Sequence, residues 1–295
     1  MQIKDSRGDR IFNTVIHIIL ALCLAVVIYP LYLVVINSFS DPDAVARGKV
    51  FLLPVGFSLD AYKEIFKTPA LMRGYGNAIF YTIFGTAFSM LVTIPAAYAL
   101  ASKKLALRGL IMRMIVVTMY FGGGLVPLFI LYKNLGLVNT RWAIILHGAI
   151  SSSNLIIART FFANSIPGEL EEAAEIDGCN PLQTFMKVVL PLSKAMLSVI
   201  CLYYAVGRWN NYTSSLYFLP MAEDKFPLQM VLRKMLLEIQ QIKPWEDPEY
   251  AIYLAKLQNL IKYAVIVVAS APLLAVYPFI QKYFDKGVMM GSVKG

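Results

Sequence analysis

A chain of 295 residues with 58% apolar residues and a mean hydropathy of +0.62 exceeds the roughly 45–50% apolar share of a soluble domain, so lipid is the solvent for most of it. The net charge of +9 does not point to nucleic acid, because the basic residues are scattered over loops and form no single face or stripe. Cys23, Cys179 and Cys201 stand at wide spacings with only His17 and His147 as imidazoles, which gives neither a disulfide framework nor a metal site; they read as small buried apolar residues.

In chain order, apolar runs between charged or Gly/Pro breaks predict six membrane spans, at about 11–36, 78–101, 107–131, 141–162, 195–219 and 261–284, each near the roughly 20 residues that cross a hydrocarbon core. The first is too long for a signal-peptide apolar region and no small-residue cleavage pattern closes it. Lys4, Arg7 and Arg10 before span one, and Lys103, Lys104 and Arg108 between spans two and three, place those segments and both termini in the cytoplasm. Within the first outer segment (37–76), Leu59, Tyr62, Ile65 and Phe66 fall at helical spacing and predict an amphipathic interfacial helix. Tyr29, Tyr32 and Phe39 read as an interface belt. Span three is interrupted by Gly122, Gly123, Gly124 and Pro127, a break that survives only where protein or a watery cavity satisfies the freed backbone. The second outer segment, 220–260, with Pro227, Pro244, Trp245 and Pro248, is expected to be an ordered, partly irregular cap.

Between spans four and five lies the one substantial cytoplasmic segment, Pro167 to Pro191. Pro167 suits a first helical position, and Glu169, Glu171 and Glu172 favour the positive helix start. Gly178 ends that helix, Asn180–Pro181 starts a second, and Pro191 is expected to end it. Leu182, Phe185, Met186 and Val189 should share its apolar side. The small Ala173 and Ala174 would let another protein's backbone approach; from periodicity alone, docking hairpin and membrane-lying loop are equally good readings.

The spacing Glu172-Ala173-Ala174, Gly178, Val188, Leu190-Pro191 resembles the EAA loop of ATP-binding-cassette (ABC) importer permeases, with Val in place of the usual Ile. Ile36–Pro42, Thr93–Ala101, Arg208–Tyr212 and the tail from Lys282 extend the likeness to the carbohydrate permeases akin to the maltose transporter's smaller membrane subunit, within them the oligosaccharide group. The resemblance implies an all-α, polytopic, type I importer permease in the bacterial cytoplasmic membrane. Its partners would be a second homologous permease, two ATPase subunits and an extracellular solute-binding protein. ATP and magnesium would sit on the ATPases, with no cofactor on this chain. Glu172, Ala173, Ala174, Asp177, Gly178, Leu190 and Pro191 would couple to the ATPase, with some contribution from Val288 to Gly295.

No GxxxxGK[ST], HExxH or GxSxG occurs, so energy must come from another chain and no catalysis is expected. Arg208, in span five, has no Asp or Glu partner within the six spans. Either it snorkels or pins packing, or with Trp209, Asn210, Asn211 and Tyr212 it lines the substrate path, in which case its missing partner leans towards a uronate-containing oligosaccharide. His147, Asn154 and Arg159 read as helix-packing polar residues. A permease for peptides or amino acids would share the EAA loop, though Arg208–Tyr212 and the tail favour sugar; an ion-coupled transporter needs intramembrane carboxylates or paired broken helices, neither of which is seen.

Overall fold

The computed structural model describes residues 7–240 and 248–291. All its regular structure is helical: α1 (Arg7–Ser38), α2 (Pro42–Ala46), α3 (Asp60–Lys67), α4 (Pro69–Ala101), α5 (Arg108–Tyr120), α6 (Leu125–Asn134), α7 (Arg141–Leu146), α8 (Ser152–Ser165), α9 (Gly168–Ile176), α10 (Pro181–Thr184), a π-helical turn (Phe185–Val189), α11 (Leu190–Leu192), α12 (Lys194–Trp209), α13 (Thr213–Phe218), a 3₁₀ turn (Glu223–Lys225), α14 (Leu228–Gln240) and α15 (Pro248–Gly291). Among the described residues, three helices are long and apolar enough to cross a membrane, within α1, α4 and α15. The chain divides into two compact units, 1–68 with 234–271, and 69–233 with 272–295.

In the first unit the aromatic residues at the end of α1 do more than mark an interface. The Tyr29 hydroxyl donates to Phe51 O (3.3 Å) and that of Tyr32 to Leu52 O, while Phe39 stacks on Tyr62 and Phe57. Tyr62 Oη also pairs with Ser38 Oγ at 2.8 Å, and burial raises its phenol pKa. The amphipathic helix forms as α3, but its buried face is Ala61, Glu64 and Ile65, whereas Leu59 and Phe66 stay exposed. Glu64 lies inward because its carboxylate is paired one turn on with Lys67 (2.8 Å), which lowers the penalty of burial. Asp60 has its pKa lowered by the hydrogen bond from Lys63.

In the second unit α4, α8 and α12 enclose a core built from Ile94, Ala97, Leu155, Phe162, Met196 and Ile200. Tyr204 of α12 joins all three: its hydroxyl lies 2.7 Å from Thr93 Oγ1 and accepts from Ser151 N–H at 3.0 Å. Predicted spans three, four and five are not continuous helices. Span three is cut at the glycines, where Gly124 has φ +82° and α5 and α6 meet at 113°. Span four is cut between α7 and α8, where Gly148 has φ +66°, a conformation that only glycine adopts without cost. Span five stops at Trp209, and a new helix starts after Tyr212, where Asn211 Oδ1 accepts Ser214 N–H at 3.0 Å just ahead of it. In the second outer segment, α14 and the start of α15 replace most of the expected irregular cap; 241–247, with Pro244 and Trp245, lies outside the described residues. The irregular part is held by Asn77, whose amide donates to Asp224 O and Phe226 O, and by Tyr81, which donates to Lys225 O.

The break after α7 explains Arg208. Its side chain passes over Gly85 and donates to Ile144 O (2.6 Å), His147 O (2.8 Å), Ile145 O (3.0 Å) and Ser89 Oγ (3.1 Å). A buried guanidinium thus meets the carbonyls that a helix C-terminus leaves unsatisfied. Of the two readings open for Arg208, the contacts agree with a side chain that pins packing; no counter-charge from another subunit, an outer loop or a substrate is required, because the partner is backbone, which no search for Asp or Glu reveals. A Cβ at Gly85 would stand 3.0 Å from Arg208 Nε. Arg208→Met should therefore lower stability by about 3 kcal/mol or more, from three orphaned carbonyls at roughly 1–3 kcal/mol each, and Gly85→Val should act in the same direction. Thermal unfolding in detergent checks both.

Candidate functional site

The segment 167–191 forms a helical hairpin whose turns are written in its residues. Pro167 takes the cap position and Gly168 begins α9, one residue later than expected. At the far end, Gly178 N–H donates to Glu175 O (3.1 Å) and Cys179 N–H to Ala174 O (2.9 Å), the paired bonds of a Schellman ending. Gly178 has φ +82° and a Cβ there would meet nothing within 4 Å, so its requirement is conformational, not steric. Asn180 and Gln183 then form a reciprocal capping box, 2.9 Å in each direction, which closes the second helix start. Gln183 is a partner that the sequence reading missed, although Asn-x-x-Gln is legible.

Pro191 does not end the second helix as expected. The five-residue π turn gives the wider spacing, with Leu190 N–H reaching Phe185 O, and Pro191 sits in α11 without breaking it. The stop comes after Leu192, where the path bends 85° into α12. The same turn shifts the helical phase, so the four apolar residues do not share a face. Phe185 and Val189 enter the core, Phe185 stacking on Tyr98 at 4.9 Å, while Leu182 and Met186 are 69% and 56% exposed. Of the remaining candidates, Glu172, Ala173, Asp177, Gly178 and Pro191 are exposed and Leu190 packs part-buried against the core. Ala174 is buried within its own chain; its small size serves internal packing, not approach by a partner. Ile176, missed in the sequence, is 86% exposed at the tip. Ala173, Leu182 and Met186 are exposed as well, so each of the hairpin's two helices shows apolar side chains outside the core.

One exposed ion pair braces the hairpin. Lys104, in the turn after α4, donates to Glu175 Oε2 at 2.8 Å. That hydrogen bond raises the Lys104 pKa and lowers that of Glu175. Both groups are solvated, so the pair orients the hairpin more than it stabilises it. By linkage its contribution is full above the usual carboxylate value, declines as pH falls below it, and is gone once pH has fallen through the lowered Glu175 value.

The residues 208–212 do not form one surface. Arg208 and Trp209 are buried, Asn210 and Tyr212 exposed, and the Asn211 amide is committed to Ser214 in the first turn of α13. The Tyr212 ring lies under Arg233, 5.5 Å from guanidinium to centroid. Cys23 and Cys201 are exposed and Cys179 part-buried, so the three thiols are not the buried residues expected of them. Among the described residues no cluster of His, Cys, Asp or Glu could hold a metal ion.

The chain resembles known proteins over its whole length. It is 39% identical over 292 residues to Protein LplC of Bacillus subtilis (strain 168), covering 99% of this chain and 97% of the relative. It is 41% identical over 287 residues to the polygalacturonan/rhamnogalacturonan transport system permease protein YtcP of the same organism, covering 97% and 99%. A solved chain from a bacterial ABC transporter involved in the import of the acidic polysaccharide alginate superposes with a TM-score of 0.83 at 36% identity, over 96% of this chain and 100% of that one. Residues 90–290 match the family described as "Binding-protein-dependent transport system inner membrane component", and the chain belongs to that family of importer permeases.

Proposed function

We propose that this permease carries an acidic, uronate-containing oligosaccharide inward across the bacterial cytoplasmic membrane, as half of a path completed by a second permease. The observation that carries this reading is its 41% identity, over 97% of its length, to a permease named for polygalacturonan and rhamnogalacturonan transport; the alginate importer chain at 36% identity supports it. Arg208 adds nothing to this reading, since its guanidinium is pinned by carbonyls of its own chain. In this reading the chain crosses the membrane six times with both termini in the cytoplasm, counting once each the bent pair α5–α6 and the pair α7–α8, broken at Gly148. Two ATPase subunits hold ATP and magnesium, and an extracellular binding protein delivers the sugar.

The hairpin is the coupling element in this proposal, with Glu172, Ala173, Asp177, Gly178 and the exposed Ile176 against the ATPase. Uptake of labelled trigalacturonate and of neutral galactotriose, in cells with the gene deleted and restored, tests the substrate class: loss of trigalacturonate uptake alone on deletion is expected, and unchanged uptake would refute it.

Two variants address coupling. Gly178→Asp costs only about 1–2 kcal/mol for a non-glycine residue at positive φ and meets no neighbour, so the protein should insert normally while uptake is abolished; normal uptake would remove the hairpin from the mechanism. Lys104→Glu should slow uptake by setting two carboxylates side by side, and Lys104→Glu with Glu175→Lys should recover it, read as initial transport rates at low salt.

A further inference from the structure

Beside Arg208 lies a cavity of about 380 Å³ whose lining includes His147, Ser151, Asn154, Tyr203, Gly207 and Arg208. The volume is at the lower end of small-molecule pockets and suits one sugar ring, not a chain of them. Most polar groups around it are already committed. Tyr204 Oη serves Thr93 and Ser151, Asn211 serves Ser214, and the Arg208 terminal nitrogens make the four bonds described above.

Two side chains are not committed. Asn154 is only 8% exposed; its backbone N–H reaches Ser151 Oγ at 3.4 Å, but its amide has no hydrogen-bond partner among the described residues. The His147 ring packs against Tyr132 and Phe218, and its nitrogens likewise have no partner among the described residues. Both side chains line the cavity and keep their polar atoms accessible to whatever occupies it. Next to both stands Tyr203, whose side chain is half open. An amide, an imidazole and an aromatic face are the donors, acceptors and apolar surface that a sugar's hydroxyls and C–H face require. The lining contains no Asp or Glu, and the Arg208 charge lies in its wall, so a carboxylate on the sugar meets no like charge.

We infer that this cavity is a sugar-ring subsite on this subunit, in which Asn154 and His147 hydrogen-bond the hydroxyls of the oligosaccharide in transit. Arg208 contributes its field from the wall and makes no direct contact, because its terminal N–H groups are occupied. The preference for a charged ring rests on the proposed substrate class; the subsite itself rests on the cavity and its two uncommitted side chains.

The test uses the whole transporter with its ATPase and binding-protein partners, reconstituted in lipid vesicles. Tyr203→p-benzoylphenylalanine places a photoreactive group in the lining, and Tyr120→p-benzoylphenylalanine, at a residue 78% exposed and outside the cavity, is the control. During turnover with radiolabelled trigalacturonate or galactotriose, light should attach label at position 203 and not at 120. Adding Asn154→Leu should cut that labelling about tenfold, the scale of a lost hydrogen bond to a ligand, and Asn154→Asp should cut it more for trigalacturonate than for galactotriose. Label yield and turnover unchanged by both Asn154 variants would overturn the subsite. So would cross-linking of position 203 to the second permease, which would make the cavity a subunit contact, or loss of complex assembly in the Asn154 variants. If wild-type vesicles import only galactotriose, the acidic-substrate reading fails, while Asn154-dependent labelling by galactotriose still sustains the subsite.

Discussion

A helix that stops inside an apolar layer leaves carbonyls that water cannot reach. Helix α7 stops in that way at Leu146, and the guanidinium of Arg208 gathers the carbonyls of Ile144, Ile145 and His147. Much of the second unit follows from that one solution. It fixes where α12 lies along α4, because the side chain must cross at Gly85. One turn earlier on α12, Tyr204 is thereby set to reach Thr93 on α4 and the N-terminal end of α8. The broken span is held through side chains that take the place of missing backbone bonds.

The 167–191 hairpin is not an appendage to this body. Phe185 and Val189 belong to the same core as Ile94, Phe162 and Ile200, and close-packed interiors transmit displacement instead of absorbing it. A force on the exposed tip, at Ile176 and Ala173, therefore reaches α4, α8 and α12 directly. The Schellman ending at Gly178, the capping box at Asn180 and the ion pair to Lys104 keep the two short helices from moving independently. The π turn adds the phase shift that lets one helix present Leu182 and Met186 outward while anchoring two neighbours inward.

Local rules were enough to read the hairpin's central turn, since Gly178, Asn180 and Pro181 act within a turn of themselves. The long apolar helices were equally legible, because α1, α4 and α15 carry the required length on their face. What could not be read was whatever depends on contacts distant in sequence. The π turn depends on Phe185 and Val189 finding the core, and it defeated the expectation that Pro191 would stop the helix and that four apolar residues would share a side. The burial of Ala174 depends on what packs against α9. The partner of Arg208 was hidden for a different reason: backbone carbonyls look alike in every sequence, and only the fold shows which of them have been left open.

The crossing of Arg208 over Gly85 also carries an evolutionary consequence. With a Cβ 3.0 Å from the guanidinium nitrogen, neither position is free to drift alone: the long side chain demands the bare backbone opposite, and the bare backbone is wasteful without it. In relatives of the same geometry the two sites, 123 residues apart in the chain, should exchange together, with a bulkier residue at the first position wherever the second shortens. Such a pair would record, in sequence alone, whether a given permease closes its broken helix from within or leaves those carbonyls to something else.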